Sequence, residues 1–215
     1  MRKAMDCPLN YDSISFSTPI SELSFIVFDT ETTGFQVAKD DRLIEIGAVL
    51  VRGFEVVEER KFQTYVNPNR QISREITELT SISNSMVQDA PFALEAISTF
   101  FDYVEQTNSV AFVGHYVTFD MLVLQNELKR EKLSYRKYRA IDTLDMIGMV
   151  APSYDMRDLE RYAMAFNTRI YPRHSAIGDA MTTAFLFTEL LMRFQERGKG
   201  TWGDLSRLRE QSFLT

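Results

Sequence analysis

In the stretch FIVFDTETTG, residues 25 to 34, an apolar run suited to a buried strand ends on Asp29 and Glu31. Side chains along a strand alternate faces, so two acids two positions apart project to the same side if the strand persists. Two carboxylates held that close raise each other's proton affinity unless a cation lies between them. A divalent metal is the simple resolution. Two further acids and a histidine stand where they could join such a site. Asp120, in VGHYVTFDML, follows Thr118, which reads as an N-cap and places the acid in a first helical turn. Asp179, in HSAIGDAMTTAF, is the first acid of the last long helix, among Ile177, Ala180, Met181, Ala184 and Phe185 on a side that ought to be buried. His174 lies five residues earlier in a short loop, and imidazole is the side chain suited to proton transfer near neutral pH. Each also has an ordinary reading. Asp29 to Thr32 could be solvated turn sequence, Asp120 an acid favoured by the helix dipole, and His174 a structural histidine.

These residues need elements to hold them. LSFIVFD reads as a first strand, RLIEIGAVLVR as a second and FEVVEERKFQTYV as a third, with Gly53 at a tight reversal, so the three form an antiparallel meander. NPNRQIS is turn chemistry, and PFALEAISTFFDYVEQ carries apolar residues at helical spacing after a proline suited to a first turn. SVAFVGH is a buried strand followed by the helix TFDMLVLQNELKR; RAIDTLDMIGMV is a short strand entering a helix. DMRDLERYAMAF and SAIGDAMTTAFLFTELLMRFQER are helices. Antiparallel strands followed by strand-helix alternation predict an α/β sheet covered by helices on its faces. Residues 1–20 read as an N-terminal appendage, 21–197 as one domain and 198–215 as a C-terminal tail.

The chain has 215 residues, 45% hydrophobic and 25% charged, which suits a globular protein with one sizeable core. No apolar run reaches the length of a membrane span and the basic start lacks an apolar signal core, so a cytoplasmic setting and no membrane partner are expected. Cys7 is the only cysteine, so a metal would be held by oxygen or imidazole. A net charge of −6 argues against gripping long nucleic acid by bulk electrostatics, while leaving room for a few nucleotides in a cleft. The one basic concentration, KREKLSYRKYR at 129–139, could guide a phosphate backbone or be a solvated helix end. The tail around Trp202 could dock a partner or pack back on the domain.

In order along the chain stand Asp-x-Glu-Thr-Thr-Gly at Asp29 to Gly34, Gly-His-x-x-x-Phe-Asp at Gly114 to Asp120, and His-x-x-x-Gly-Asp-Ala at His174 to Ala180. With IEIGAVLV, FQTYVNP, MVQDAPF and IDTLDM between them, residues 23 to 195 resemble the DEDDh-type (DnaQ-like) 3′-to-5′ exonucleases, whose best-known member is the proofreading subunit of bacterial replicative DNA polymerase.

The resemblance implies a ribonuclease H-like fold, a five-stranded mixed sheet with an antiparallel meander followed by parallel strands and flanking helices. It implies two divalent cations, Mg²⁺ or Mn²⁺, on Asp29, Glu31, Asp120 and Asp179, with His174 as general base. It further implies release of nucleoside monophosphates from single-stranded 3′ ends, DNA before RNA, with Thr32, Thr33, Gly34, Phe35 and Tyr116 near the terminal nucleotide. Phe35 would stack on a base of any identity, or else be core packing. A DNA polymerase or a second copy of the chain is the protein partner it suggests. The alternatives are an exoribonuclease working on the same chemistry and a non-catalytic module docking on a polymerase. Tyr116 stands where the family commonly has Asn, and Thr80, Ser81 and Ile82 stand where it often has His-Gly-Ile, with Glu75 five before Thr80.

Overall fold

The computed structural model describes residues 4–5, 9–10, 13–135, 139–153 and 158–208. The elements are β1 (Ala4–Met5), β2 (Ser24–Thr32), β3 (Leu43–Arg52), β4 (Glu55–Tyr65), α1 (Arg74–Thr80), α2 (Asn84–Val87), α3 (Ala93–Glu105) and β5 (Ala111–Gly114). After them come α4 (Val117–Arg130), β6 (Ser134–Tyr135), β7 (Ala140–Asp142), α5 (Thr143–Val150), α6 (Leu159–Ala165), α7 (Ala176–Glu196) and α8 (Trp202–Ser206).

The main sheet has the order β4-β3-β2-β5-β7. Its β2–β3 and β3–β4 pairs are antiparallel, and its β2–β5 and β5–β7 pairs are parallel. This is the five-stranded mixed sheet expected from the sequence. Alternation along β2 divides the core. Phe25 and Val27 pack with the residues of α5, α6, α7 and α8, whereas Ile26 and Phe28 pack with α3 and α4. Each face is anchored by aromatic contacts, Phe25 edge-on to Phe187 at 5.2 Å and Phe28 against Phe112 at 4.9 Å, of the kind worth ~1 kcal/mol beyond burial.

Several local expectations change. Thr118 is not the cap of α4; the N-cap position belongs to Tyr116, in the left-handed region at φ 60, although Asp120 does fall in the first turn. Pro91 precedes the cap residue Phe92 of α3 rather than entering its first turn. The helix expected from DMRDLERYAMAF is described from Leu159 onward, and its residues 155–157 lie outside the described residues, as do Cys7 and 136–138 of the basic stretch.

The segment around Trp202 packs back on the domain. Trp202 is fully buried, its N–H donates to the carbonyl of Thr18, and Ile20 N–H donates to the carbonyl of Gly200. Thr201 and Asp204 close a capping box that starts α8. Among the described residues no helix is long and apolar enough to cross a membrane.

Candidate active site

The parity of β2 continues past its core. Asp29 and Glu31 keep the face of Phe25 and Val27, the face covered by α7, and α7 brings Asp179 in its first turn. One carboxylate oxygen from each of Asp29, Glu31 and Asp179 lies within 4.8 Å of the others. Thr30 points the other way, toward α4, where its N–H (2.9 Å) and its hydroxyl (2.6 Å) both donate to Oδ1 of Asp120. Asp120 is thus locked to the strand between the two acids and stands beside the cluster. It is the neighbouring charge that most raises the Asp29 pKa.

Electrostatics records the crowding. Burial, then Asp120, Asp179 and Glu31, push the Asp29 carboxyl well above the usual range. Burial, then Asp179, Glu45 and Asp120, push Glu31 up to about 8. Burial pushes Asp120 up to about 7 against the two Thr30 bonds, and burial raises Asp179 although the guanidinium of Arg173 pairs with its Oδ1. A site of oxygen donors that favours protons this strongly also fits hard divalent cations, which supply the charge the carboxylates lack. The donor set therefore suits Mg²⁺ or Mn²⁺ and lacks the sulfur that softer metals select.

The acids open into a cleft of about 280 Å³ whose walls include Thr32, Gly34, Phe35, Phe119, Leu79 and His174. His174 is exposed, has left-handed backbone at φ 58, and donates its N–H to Oδ2 of Asp179 at 3.2 Å. Asp179 thereby also fixes the histidine loop. Phe35 is 81% exposed and lies 6.0 Å from Phe119, so it is not core packing.

Thr33 is a loop support: its hydroxyl donates to Asp41 Oδ1 (2.9 Å) and accepts from Arg42 N–H (3.0 Å). A Cβ at Gly34 would meet the Asp41 carboxylate at 2.5 Å and push it off the Thr33 hydroxyl and Gln36 N–H that it accepts from. Thr32 donates its hydroxyl to the carbonyl of Gly34 at 2.7 Å. Tyr116 is exposed, edge-on to His115, and is not a wall of the cleft. Asn is at ease in the left-handed region that Tyr116 adopts, which gives the usual family residue a conformational reason. Ser81 likewise takes φ 62 where the family often has glycine, and Thr80 is buried with its hydroxyl bonded to the carbonyl of Ile76 and the N–H of Ile82. Glu75 is exposed in the first turn of α1.

Arg130, from the basic stretch, is committed elsewhere. It pairs with Glu127 at 3.1 Å and donates to the carbonyls of Val37 and Lys39, tying α4 to the loop behind Phe35. Glu45, Asp142, Asp41 and Arg173 were not singled out in the sequence. An acid inside the apolar run LIEIGAVLV was the available signal for Glu45, which is 1% exposed, and an Asp at the strand-to-helix junction of RAIDTLDMIGMV, a favoured N-cap position, was the signal for Asp142; Asp41 and Arg173 carry no local signal that separates them from surface residues.

Residues 26–187 match the RNase_T family model, described as an exonuclease. The chain is 34% identical over 191 residues to a PolC-type DNA polymerase III of Caldanaerobacter subterraneus subsp. tengcongensis, covering 87% of this chain and 13% of that protein. It is 31% identical over 192 residues to the 3′-5′ exonuclease DinG of Bacillus subtilis, covering 89% of this chain and 20% of that one. The chain thus spans a fifth or less of the length of these relatives. Among solved structures the fold is shared with Exonuclease X in complex with 5′ overhanging duplex DNA, at 22% identity and TM-score 0.64 over 86% of this chain and 98% of that one. It is shared also with the nuclease domain of 3′hExo, a DEDDh family member bound to rAMP, at 18% identity and TM-score 0.69 over 83% and 94%. With its three motifs folded onto one sheet end, the chain belongs to the DEDDh-type, DnaQ-like family of 3′-to-5′ exonucleases.

Proposed function

We propose that the chain is a cytoplasmic, metal-dependent nuclease that removes nucleoside 5′-monophosphates one at a time from single-stranded DNA 3′ ends. The observation that carries this reading is the convergence of Asp29, Glu31 and Asp179 oxygens within 4.8 Å at the floor of a cleft shared with His174 and Phe35. Asp29, Glu31, Asp120 and Asp179 would hold two divalent cations, which when bound activate water and neutralise charge on the departing 3′ oxygen.

The protein's own groups do the rest. The His174 ring, at the exposed edge of the cleft, takes a proton from the attacking water as its oxygen bonds to phosphorus and the bond to the 3′ oxygen breaks. Phe35 and Phe119 offer an aromatic surface to the terminal base, and Leu79 of α1 lines the same cleft. Stacking reads no sequence, as an exonuclease requires. The DNA assignment is supported by relatives that carry the matching segment within a DNA polymerase, and the same relatives support a polymerase as the working partner.

Matched 5′-labelled oligonucleotides, as single-stranded, duplex and mismatched DNA and as RNA, test the reading with Mg²⁺, Mn²⁺ or chelator. Stepwise shortening from the 3′ end of DNA, dependent on metal and lost in Asp29→Ala, is expected. Internal cleavage or activity in chelator would overturn the mechanism, and faster shortening of RNA would overturn the substrate assignment.

A further inference from the structure

The two helices that carry candidate ligands both begin without a cap of their own. Neither Ser175, the N-cap residue of α7, nor Tyr116, that of α4, makes a side-chain capping bond. The first N–H groups of a helix have no partner within it, and a buried one needs an acceptor from elsewhere.

In both cases a strand acid provides it. Oε2 of Glu45, on β3, accepts from Ala176 N–H at 2.9 Å, and both residues are almost wholly buried. Its Oε1 accepts from the Gln63 amide on β4 at 2.6 Å. Asp142, the last residue of β7, places Oδ1 3.0 Å from Leu144 N–H in its own helix and 3.2 Å from Tyr116 N–H at the start of α4.

We infer that Glu45 and Asp142 are positioning residues that register the ligand-bearing helices α7 and α4 on the sheet, and so set where Asp179 and Asp120 stand. A cap from the helix's own N-cap side chain would satisfy an orphan N–H of the first turn without fixing the helix relative to β2. A cap from a strand does both. Glu45 sits directly opposite Glu31 in the β2–β3 register, a like-charge cross-strand pair that costs stability and that burial makes worse. Packing at the same point leaves no slack. A Cβ on Gly47 would lie 2.1 Å from Ile177 N, and one on Gly178 2.0 Å from the Pro172 carbonyl oxygen. The start of α7 is therefore pressed onto β3 beside the cap, three residues before Asp179. Through the His174 N–H bond to Asp179, the same anchor reaches the histidine loop.

The inference rests on metal binding by Asp179, and the experiment separates the two. Glu45→Met keeps length and removes both acceptors, whereas Glu45→Gln keeps an oxygen for Ala176 N–H and, with the Gln63 amide turned, the second bond. Amide hydrogen exchange of the metal-free protein, Mn²⁺ binding followed by electron paramagnetic resonance, and kcat with KM are measured on each. In Glu45→Met, exchange over 176–179 should quicken at least tenfold while 186–191 stays protected. Its Mn²⁺ Kd should rise roughly 10- to 100-fold, the usual effect of removing an outer-sphere partner. Its kcat should fall with KM within about twofold, and Glu45→Gln should restore all three.

Asp142→Ala should quicken exchange at 116 and 117 in the same way, with partial recovery in Asp142→Asn. Wild-type Mn²⁺ affinity in Glu45→Met, or Glu45→Gln as impaired as Glu45→Met, would overturn the inference. Should wild type itself bind no Mn²⁺, the metal reading fails, and slow exchange at 176–179 in Glu45→Met would then overturn the capping role as well. If Glu45→Met does not fold, Glu45→Asp, one methylene short of Ala176 N–H, carries the same expectations.

Discussion

Replacing Glu31 by Gln should make the metal-free protein more stable at high pH and leave it unchanged at low pH. The Glu31 carboxyl is raised from 4.5 to about 8 by burial and by the charges of Asp179, Glu45 and Asp120. An acid whose folded pKa is raised favours the folded state below its unfolded value, and that advantage is lost as pH climbs through the folded value. The window therefore runs from about pH 4.5 to pH 8. At ~1.36 kcal/mol per pH unit the full interval sets a ceiling near 5 kcal/mol. The neighbouring acids share the strain and titrate with Glu31, so removing this one charge should recover roughly half, about 2 kcal/mol. In a domain of this size that is roughly 4 to 8 °C in Tm. Thermal unfolding in EDTA at pH 4.5, 6, 7.5 and 9 reads it directly. The curves of wild type and Glu31→Gln should coincide at pH 4.5 and separate as pH rises. Saturating Mn²⁺ should reverse the order at pH 8, because a ligand bound only by the folded state stabilises it by mass action and the variant lacks one ligand. A gap that stays constant across pH would refute the like-charge account of the site.

Four other outcomes follow from particular residues. His174→Ala should lower kcat by roughly 10²- to 10⁴-fold with KM within a few-fold, as loss of a proton acceptor demands; a change confined to KM would remove the ring from the chemistry. Phe35→Ala should raise KM for single-stranded ends about tenfold, from the ~1–3 kcal/mol that base stacking supplies, with Tm unmoved because the ring is 81% exposed. Glu127→Ala should cost about 3 to 5 kcal/mol in urea unfolding, since it strips a 2%-exposed carboxylate from Arg42, Arg130 and the Leu43 N–H. Arg74→Ala, which breaks an exposed i,i+4 pair with Glu78, should cost less than ~0.5 kcal/mol in the same assay.

Sheet, helix order and the strand that carries Asp29 and Glu31 were legible because each rests on a local rule. Period-two alternation through FIVFDTET sorted Asp29 and Glu31 onto one face, and that face is the one α7 covers. The remaining acids were legible through their spacing within motifs, not through their environments. What stayed hidden depends on contacts far apart in sequence. The Glu45 bond to Ala176 spans 131 residues, and the bond from Tyr116 to Asp142 spans 26, so neither leaves a pattern in any one window. Thr118 looked like a cap because Thr before an acid commonly is one, but the turn after β5 closes two residues earlier, at Tyr116. Arg130 looked like a free cation for the same kind of reason, and its partner carbonyls at Val37 and Lys39 lie more than ninety residues away.

The acids at this sheet end divide by what holds them. Asp120 accepts twice from Thr30, Glu45 from Gln63 and Ala176, Asp142 from Leu144 and Tyr116, and Asp179 from Arg173 and His174. Among the described residues no hydrogen bond engages the carboxylates of Asp29 or Glu31, which stand at the cleft wall instead. A buried or half-buried carboxylate without donors is costly unless a cation or proton satisfies it. The donor-rich acids are thus the frame, and the donor-poor pair on β2 is the edge where a cation gains most. The pair stands on the central strand of the sheet, paired with β3 and just past the last residue that pairs with β5. On the proposed metal reading, a site assembled this way would give up stability when empty and recover it on loading, so binding and order at Asp179 and His174 would rise together.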